Sequence, residues 1–235
     1  MSVIAICGLP GSGKTLFATY LAMKKYKKDN LFKRKKENNI YSNYPILLNK
    51  SKHVFSNKAG LFDFDMYQQW DYHSTIFLDE IQLYFDSLDF KQFPKKIRNN
   101  FQLHRHYGID DIYILSQHPS RIVKQLRVLV CEFYDITTFF RFPFLPFAFV
   151  RYNIYYNFED FGKSVKVKLA DVPYKFKKKI KFFNYKKVYK AYDTCYMYAL
   201  VKDKEFIPKN SYDNKKMQLL DIFHEFNFLS EEDLK

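Results

Sequence analysis

The chain has 235 residues, enough for one well-cored α/β domain with a small appendage and too few for two full domains. Its 39 Lys and Arg against 25 Asp and Glu give a net charge of +14, a surplus that favours polyanionic partners, either nucleic acid or an anionic membrane face. Three cysteines, Cys7, Cys131 and Cys195, lie far apart and outside metal-ligand spacing, which argues against structural zinc and for a reducing compartment.

With 26 Phe and 20 Tyr, the core and part of the surface are expected to be aromatic. Met1 runs directly into a strand, leaving no room for the charged and apolar regions of a signal peptide, so the host cytoplasm is the expected location. No stretch reaches the about 18 apolar residues that a spanning helix needs. Phe142 to Val150 is the nearest; it is bounded by Arg141 and Arg151, is broken by Pro143 and Pro146, and reads as a loop or strand edge able to touch a membrane peripherally.

Val3 to Cys7 is a continuous apolar run that meets a glycine turn, the pattern of a strand buried on both faces of a parallel sheet. After the turn, Leu16, Phe17, Tyr20, Leu21 and Met23 keep helical spacing. Lys24 to Glu37 then holds eight basic residues against two acidic ones, and Ile40 to Tyr44 supplies the next strand. Two further apolar runs, Ser74 to Leu78 and Ile112 to Leu115, read as central parallel strands. A crossover helix is predicted between them over Ile97 to Tyr107, with Gly108 at its C-cap, and another helix over Arg121 to Leu129.

From Cys131 the character changes to aromatic, period-two segments such as Val165 to Leu169. Tyr174 to Lys190 carries eight lysines and no acid, and Met217 to Phe226 has helical apolar spacing before an acidic finish through Glu231, Glu232 and Asp233. The predicted architecture is therefore α/β, a mostly parallel central sheet flanked by helices. Residues 1–135 would form the core, and 136–235 a β-rich, lysine-rich extension with a C-terminal helix packed on it.

Gly8-Leu9-Pro10-Gly11-Ser12-Gly13-Lys14-Thr15 satisfies the phosphate-loop pattern, in the strand, turn and helix context the pattern requires. Three of the chain's 6 glycines sit in these eight positions, so the loop is not a by-product of a glycine-rich composition. Glycines let successive N–H groups converge on phosphate oxygens, and the helix N-terminus adds positive potential. Lys14 is expected to reach the β and γ phosphates of ATP, and Thr15 to give its hydroxyl to Mg²⁺.

The strand ending in Asp79-Glu80 fits the second element of such an ATPase, with Asp79 on Mg²⁺ and Glu80 activating the attacking water. Gln117, after the strand that ends at Ser116, is placed to sense the γ-phosphate and orient that water. An arginine is expected to neutralise transition-state charge, often from a neighbouring subunit; Arg98, Arg105, Arg121 and Arg127 are the candidates.

The order Asp79-Glu80-Ile81-Gln82, Leu103-His104-Arg105-His106-Tyr107-Gly108 and Ile112-Tyr113-Ile114-Leu115-Ser116-Gln117 resembles the zonula occludens toxin (Zot) family, which includes the gene I assembly ATPases of filamentous phages. The resemblance spans about Met1 to Leu200 and takes in Asn43 and Tyr192-Asp193-Thr194. It implies a fold related to the HerA/FtsK ATPases and a task in virion assembly, moving single-stranded DNA through the inner membrane. Lys14, Thr15, Asp79, Glu80 and Gln117 match the nucleotide site, and His104, Arg105 and His106 match a signature whose role is subunit contact or nucleotide sensing.

Relatives of this kind usually continue into a transmembrane helix and an exported tail, so a separate membrane partner or peripheral docking at the cytoplasmic face of the inner membrane is expected here. Expected partners are further copies of the chain, single-stranded DNA, and phage coat or inner-membrane assembly proteins. Lys175, Lys177, Lys178, Lys179 and Lys181 are candidates for contact with DNA or a membrane, with neighbouring aromatics able to stack on bases. Two other readings stand beside the motor: a small-molecule P-loop kinase and a non-hydrolysing ATP-binding scaffold.

Overall fold

The structure, a computed structural model, describes residues 2–31, 39–44, 46–49, 54–55, 73–83, 85, 95–161 and 176–192. Lys33 to Lys36, Val165 to Leu169, Lys175, Asp193, Thr194, Cys195 and the tail from Met217 lie outside the described residues. In chain order the elements are β1 (Ser2–Cys7), α1 (Lys14–Leu31), β2 (Asn39–Ser42), β3 (Leu47–Asn49), β4 (Val54–Phe55), β5 (Ser74–Leu78), α2 (Lys95–Leu103), β6 (Ile109–Ser116), α3 (Lys124–Arg127), β7 (Glu132–Arg141), β8 (Phe147–Tyr155), β9 (Phe176–Asn184) and α4 (Tyr185–Tyr189).

One 7-stranded sheet has the order β2-β5-β6-β1-β7-β8-β9, and β3 pairs with β4 separately. The pairs β2 with β5, β5 with β6, β6 with β1 and β1 with β7 are parallel. β7, β8 and β9 run antiparallel to one another. Alternation along the central strands divides the core between the two faces. Ile4, Ile6, Phe77, Tyr113 and Leu115 pack with Phe17 and Ala18 of α1 and Val188 of α4. Val3, Ala5, Cys7, Ile76, Leu78, Ile112 and Ile114 pack with Phe101 of α2 and Leu126 of α3. Strands buried on both sides need apolar residues at every position, which is why their sequences read as unbroken runs.

Several boundaries differ from expectation. The predicted helix over Ile97 to Tyr107 is Lys95–Leu103, followed by turns that close on Gly108 at φ 74, whose N–H donates to Arg105 O at 3.1 Å. The helix predicted over Arg121 to Leu129 contracts to a 3₁₀ turn at Pro119–Arg121 and the four residues of α3. Between them the β-branched Ile122 and Val123 are extended and buried, anchoring the loop instead of continuing a helix. The stretch Phe142 to Val150 is a turn only as far as residue 146; from Phe147 it is β8. The boundary expected between residues 135 and 136 falls inside β7, which pairs with β1 on one side and β8 on the other, so the antiparallel strands extend the same sheet.

Candidate functional site

β1, β5 and β6 are parallel, so their C-terminal ends share one edge of the sheet, the edge at which α/β folds bind ligands. Residues 8–13 leave β1 there and turn into α1. Gly11 and Gly13 have φ of 76° and 84°, left-handed values that a side chain would strain. A Cβ on Gly13 would also come within 3.1 Å of the Phe139 ring, so this strand of the extension forms one wall of the loop.

The loop is tied down by its own backbone. Gly8 N–H donates to Gln117 O at 3.2 Å, Ser12 N–H to Leu9 O at 3.1 Å, and Phe17 N–H to Gly13 O at 2.8 Å. Lys14 opens α1 and is 6% exposed; its Nζ donates to Gly8 O at 3.0 Å and Leu9 O at 3.2 Å, which curls the ammonium over the loop. Ser12 Oγ is buried without a hydrogen-bond partner among the protein groups. A buried orphan hydroxyl is costly, and here it lies in a loop of backbone donors beside a buried ammonium, a setting suited to phosphate oxygens.

Asp79 follows β5 and reaches this loop. Thr15 Oγ1 donates to its Oδ2 at 2.7 Å, and its other oxygen accepts from Glu80 N–H at 2.9 Å. Burial pushes the Asp79 carboxyl up to about 6, with the neighbouring Glu80 adding to the rise, while the Thr15 hydroxyl and Lys14 oppose it. The Thr15 hydroxyl and a buried carboxylate make an oxygen donor set of the kind a hard divalent cation such as Mg²⁺ takes.

Asn43, just beyond β2, is fully buried and clamps the backbone of Asp79. Its Nδ2 donates to Asp79 O at 2.9 Å, and its Oδ1 accepts from Asp79 N–H at 2.8 Å. Sequence placed Asn43 after the second strand but gave it no partner; an asparagine following a strand that pairs with the acid-bearing one is the only local hint. Glu80 adopts φ 46, in the left-handed region, and its carboxylate accepts from Gln82 Nε2.

Because β6 lies between β1 and β5, Gln117 at its end stands between the phosphate loop and Asp79. The four arginines separate. Arg121 is exposed in the turn just after Gln117, on the same edge. Arg127 stacks its guanidinium over the Phe158 ring at 4.3 Å, and Arg98, on α2, has its Nε buried. Arg105 is exposed in the turn preceding β6, as is His106; the 8 residues of that strand put them about 25 Å from the loop edge. His104, in the same turn, is buried, with Nδ1 on Phe101 O at 2.7 Å, and burial holds its imidazole below the usual range. Lys177, Lys178, Lys179 and Lys181 all lie on β9, three strands from β1.

The family model described as Zonular occludens toxin (Zot) matches residues 2–138. Among solved structures, the N-terminal domain of zonular occludens toxin from Neisseria meningitidis is similar with a TM-score of 0.51 and 23% identity, covering 82% of this chain and 98% of that one. The genome packaging NTPase B204 from Sulfolobus turreted icosahedral virus 2, in complex with AMP, has a TM-score of 0.40 and 13% identity over 60% of this chain and 77% of that one. B204, the DNA-packaging ATPase from Sulfolobus Turreted Icosahedral Virus, has 0.42 and 15% over 60% and 77%. No curated protein matches the sequence. With its phosphate loop between β1 and α1 and its parallel sheet, the chain has the P-loop NTPase fold. Among the described residues, no helix is long and apolar enough to cross a membrane.

Proposed function

The chain belongs to the zonular occludens toxin family, and from that premise we propose that it is a Mg²⁺-dependent ATPase of filamentous phage morphogenesis that drives virion assembly and single-stranded DNA export. The observation that carries the ATPase reading is the 2.7 Å hydrogen bond joining Thr15, directly after Lys14, to the buried Asp79, with Glu80 next in the chain. Loop and strand end thereby form one site.

In this reading the loop N–H groups and the N-terminus of α1 hold the triphosphate of ATP, and Lys14 neutralises its β and γ oxygens. Thr15 and Asp79 hold Mg²⁺, which when bound supplies the positive charge that the transferring phosphoryl group needs. Glu80 takes the proton of the attacking water, and Gln117, set between loop and acid, orients it. Glu80 favours water over a small-molecule acceptor, which separates this reading from a kinase.

The active form is a homo-oligomer. Arg105, on the edge opposite the loop, is suited only to a neighbour's nucleotide, whereas Arg121 lies on the nucleotide edge itself. The lysines of β9 meet phosphates of the exported DNA. Work at the cytoplasmic face of the host inner membrane, beside coat or membrane assembly proteins, follows from the same reading.

Phosphate release from ATP, with and without single-stranded DNA, tests it alongside Glu80→Gln and Lys14→Ala. Loss of a general base predicts a fall of about 10²-fold or more for Glu80→Gln with ATP still bound, and loss of binding for Lys14→Ala. ATP bound but never turned over would make the chain a scaffold, and phosphate delivered to a small acceptor would make it a kinase.

A further inference from the structure

We propose that the aromatic face of β7, β8 and β9 that the described residues leave open, together with the turn 142–146, docks on an anionic lipid bilayer. Alternation sends Val150, Tyr152, Ile154 and Phe183 into the core against α1. The opposite face carries Phe140, Phe149, Ile180 and Phe182. Their rings form a connected patch: Phe140 lies 5.5 Å from Phe149 and 5.2 Å from Phe142, and Phe149 lies 5.6 Å from Phe182.

Toward the other end of this face, Tyr155 is covered by Phe161 and Phe176. Toward the turn, no described residue covers it. Phe140 is 44% exposed, Ile180 47% and Phe182 64%, and at the tip Phe144 reaches 96% and Leu145 52%. A contiguous apolar patch of this kind marks an interaction surface.

Charge selects the occupant. No Asp or Glu occurs from 136 to 157 or from 176 to 192. By strand register Arg151 and Lys178 share the face of the patch, while Arg141 borders the tip in sequence and Lys177, Lys179 and Lys181 alternate to the other side of the sheet. A second copy presenting the same face would bring like charges together. The tip itself, Phe142 to Phe147, is free of charge and contains two prolines, so it offers no cation to a nucleic-acid phosphate. An aromatic tip bordered by Arg141, on a face that carries Arg151 and Lys178 and no acid, instead matches the bilayer interface, where rings sit at the headgroup level and Lys and Arg meet anionic lipid.

The surface also has a fixed relation to the phosphate loop. β7 runs parallel to β1 and past its end, and Phe139, the residue before the patch begins, is the ring that walls Gly13. Docking would turn the loop edge of the sheet toward the membrane.

The test needs no turnover and so stands or falls apart from the ATPase reading. The full chain is sedimented with vesicles of phosphatidylglycerol and phosphatidylethanolamine, and with phosphatidylcholine alone, beside a Phe144→Ser/Leu145→Ser variant whose melting temperature is compared with the parent's. Both side chains are exposed, so the fold should be unaffected. The expected result is binding to the anionic vesicles, little to phosphatidylcholine, and a tenfold or greater loss in the variant. In a Cys131→Ser/Cys195→Ser background, a dye on Leu145→Cys should shift to shorter emission wavelength only with anionic vesicles. Equal binding by parent and variant, or none by the parent, overturns the proposal. So does a tip variant that leaves vesicle binding intact but weakens single-stranded DNA retention or self-association, which would assign the face to those partners.

Discussion

The Thr15 hydroxyl donates to Asp79 Oδ2 across 2.7 Å, joining the first turn of α1 to the end of β5 over 64 residues of sequence. Asp79 is nevertheless a buried carboxyl whose pKa rises from 3.8 to about 6, chiefly through desolvation. A carboxyl raised in the folded state contributes stability that is complete below its unfolded value and is lost as pH rises through its folded value. Without nucleotide or metal, stability should therefore fall between pH 3.8 and about 6 on account of this group. Asp79→Asn should flatten that dependence and stabilise the fold above this window by at most about 3 kcal/mol, at roughly 1.4 kcal/mol per unit. Mg²⁺ requires the carboxylate, so its stabilising effect should weaken as pH drops below about 6. Thermal melts across this range, with and without MgADP, check both signs; parallel curves for the two proteins would count against the assignment.

Asn43 satisfies both backbone polar groups of Asp79. Asn43→Ala would leave a buried N–H and C=O unpaired, at about 1–3 kcal/mol each. Stability should fall by about 2 kcal/mol or more. Asn43→Asp keeps the acceptor, loses the donor and sets a second acid beside Asp79, so it should fare no better. If Asn43 positions Asp79, kcat should fall further than KM rises; a loss of stability with both constants unchanged would limit it to a structural role.

Glu80 holds a left-handed backbone at φ 46 that costs a non-glycine residue about 1 kcal/mol. Strain kept at the proposed general base can be separated from the chemistry by substitution. Glu80→Gly should leave the melting temperature unchanged or raise stability by up to about 1 kcal/mol while abolishing turnover. A marked drop in melting temperature would mean that the contact with Gln82, and not water activation, is what the side chain supplies.

The phosphate loop could be read directly because its chemistry is contiguous: glycines, Lys14 and Thr15 lie within eight positions and are organised by their own backbone. The ends of β5 and β6 were legible for a related reason, since strands buried on both faces are unbroken apolar runs and the first polar residue marks the edge. The shift to period-two segments was visible too, but the same pattern belongs to a separate β unit and to strands added to an existing sheet. Only the pairing of β7 with β1 showed that the sheet is continuous. The helix expected over Arg121 to Leu129 is shorter, α3 alone, because Ile122 and Val123 are extended and buried despite their helical spacing.

Sequence by itself determined the phosphate loop, the acid that follows the second apolar run, and the basic, aromatic character of the extension, because each is a property of neighbouring residues. The tertiary structure alone decided that Asn43 holds the backbone of Asp79, that Phe139 walls Gly13, that Arg127 is stacked on Phe158 and that Arg105 lies on the far edge. Those relations depend on strand order and register, and two residues meet across a sheet through pairings that their local sequences do not encode.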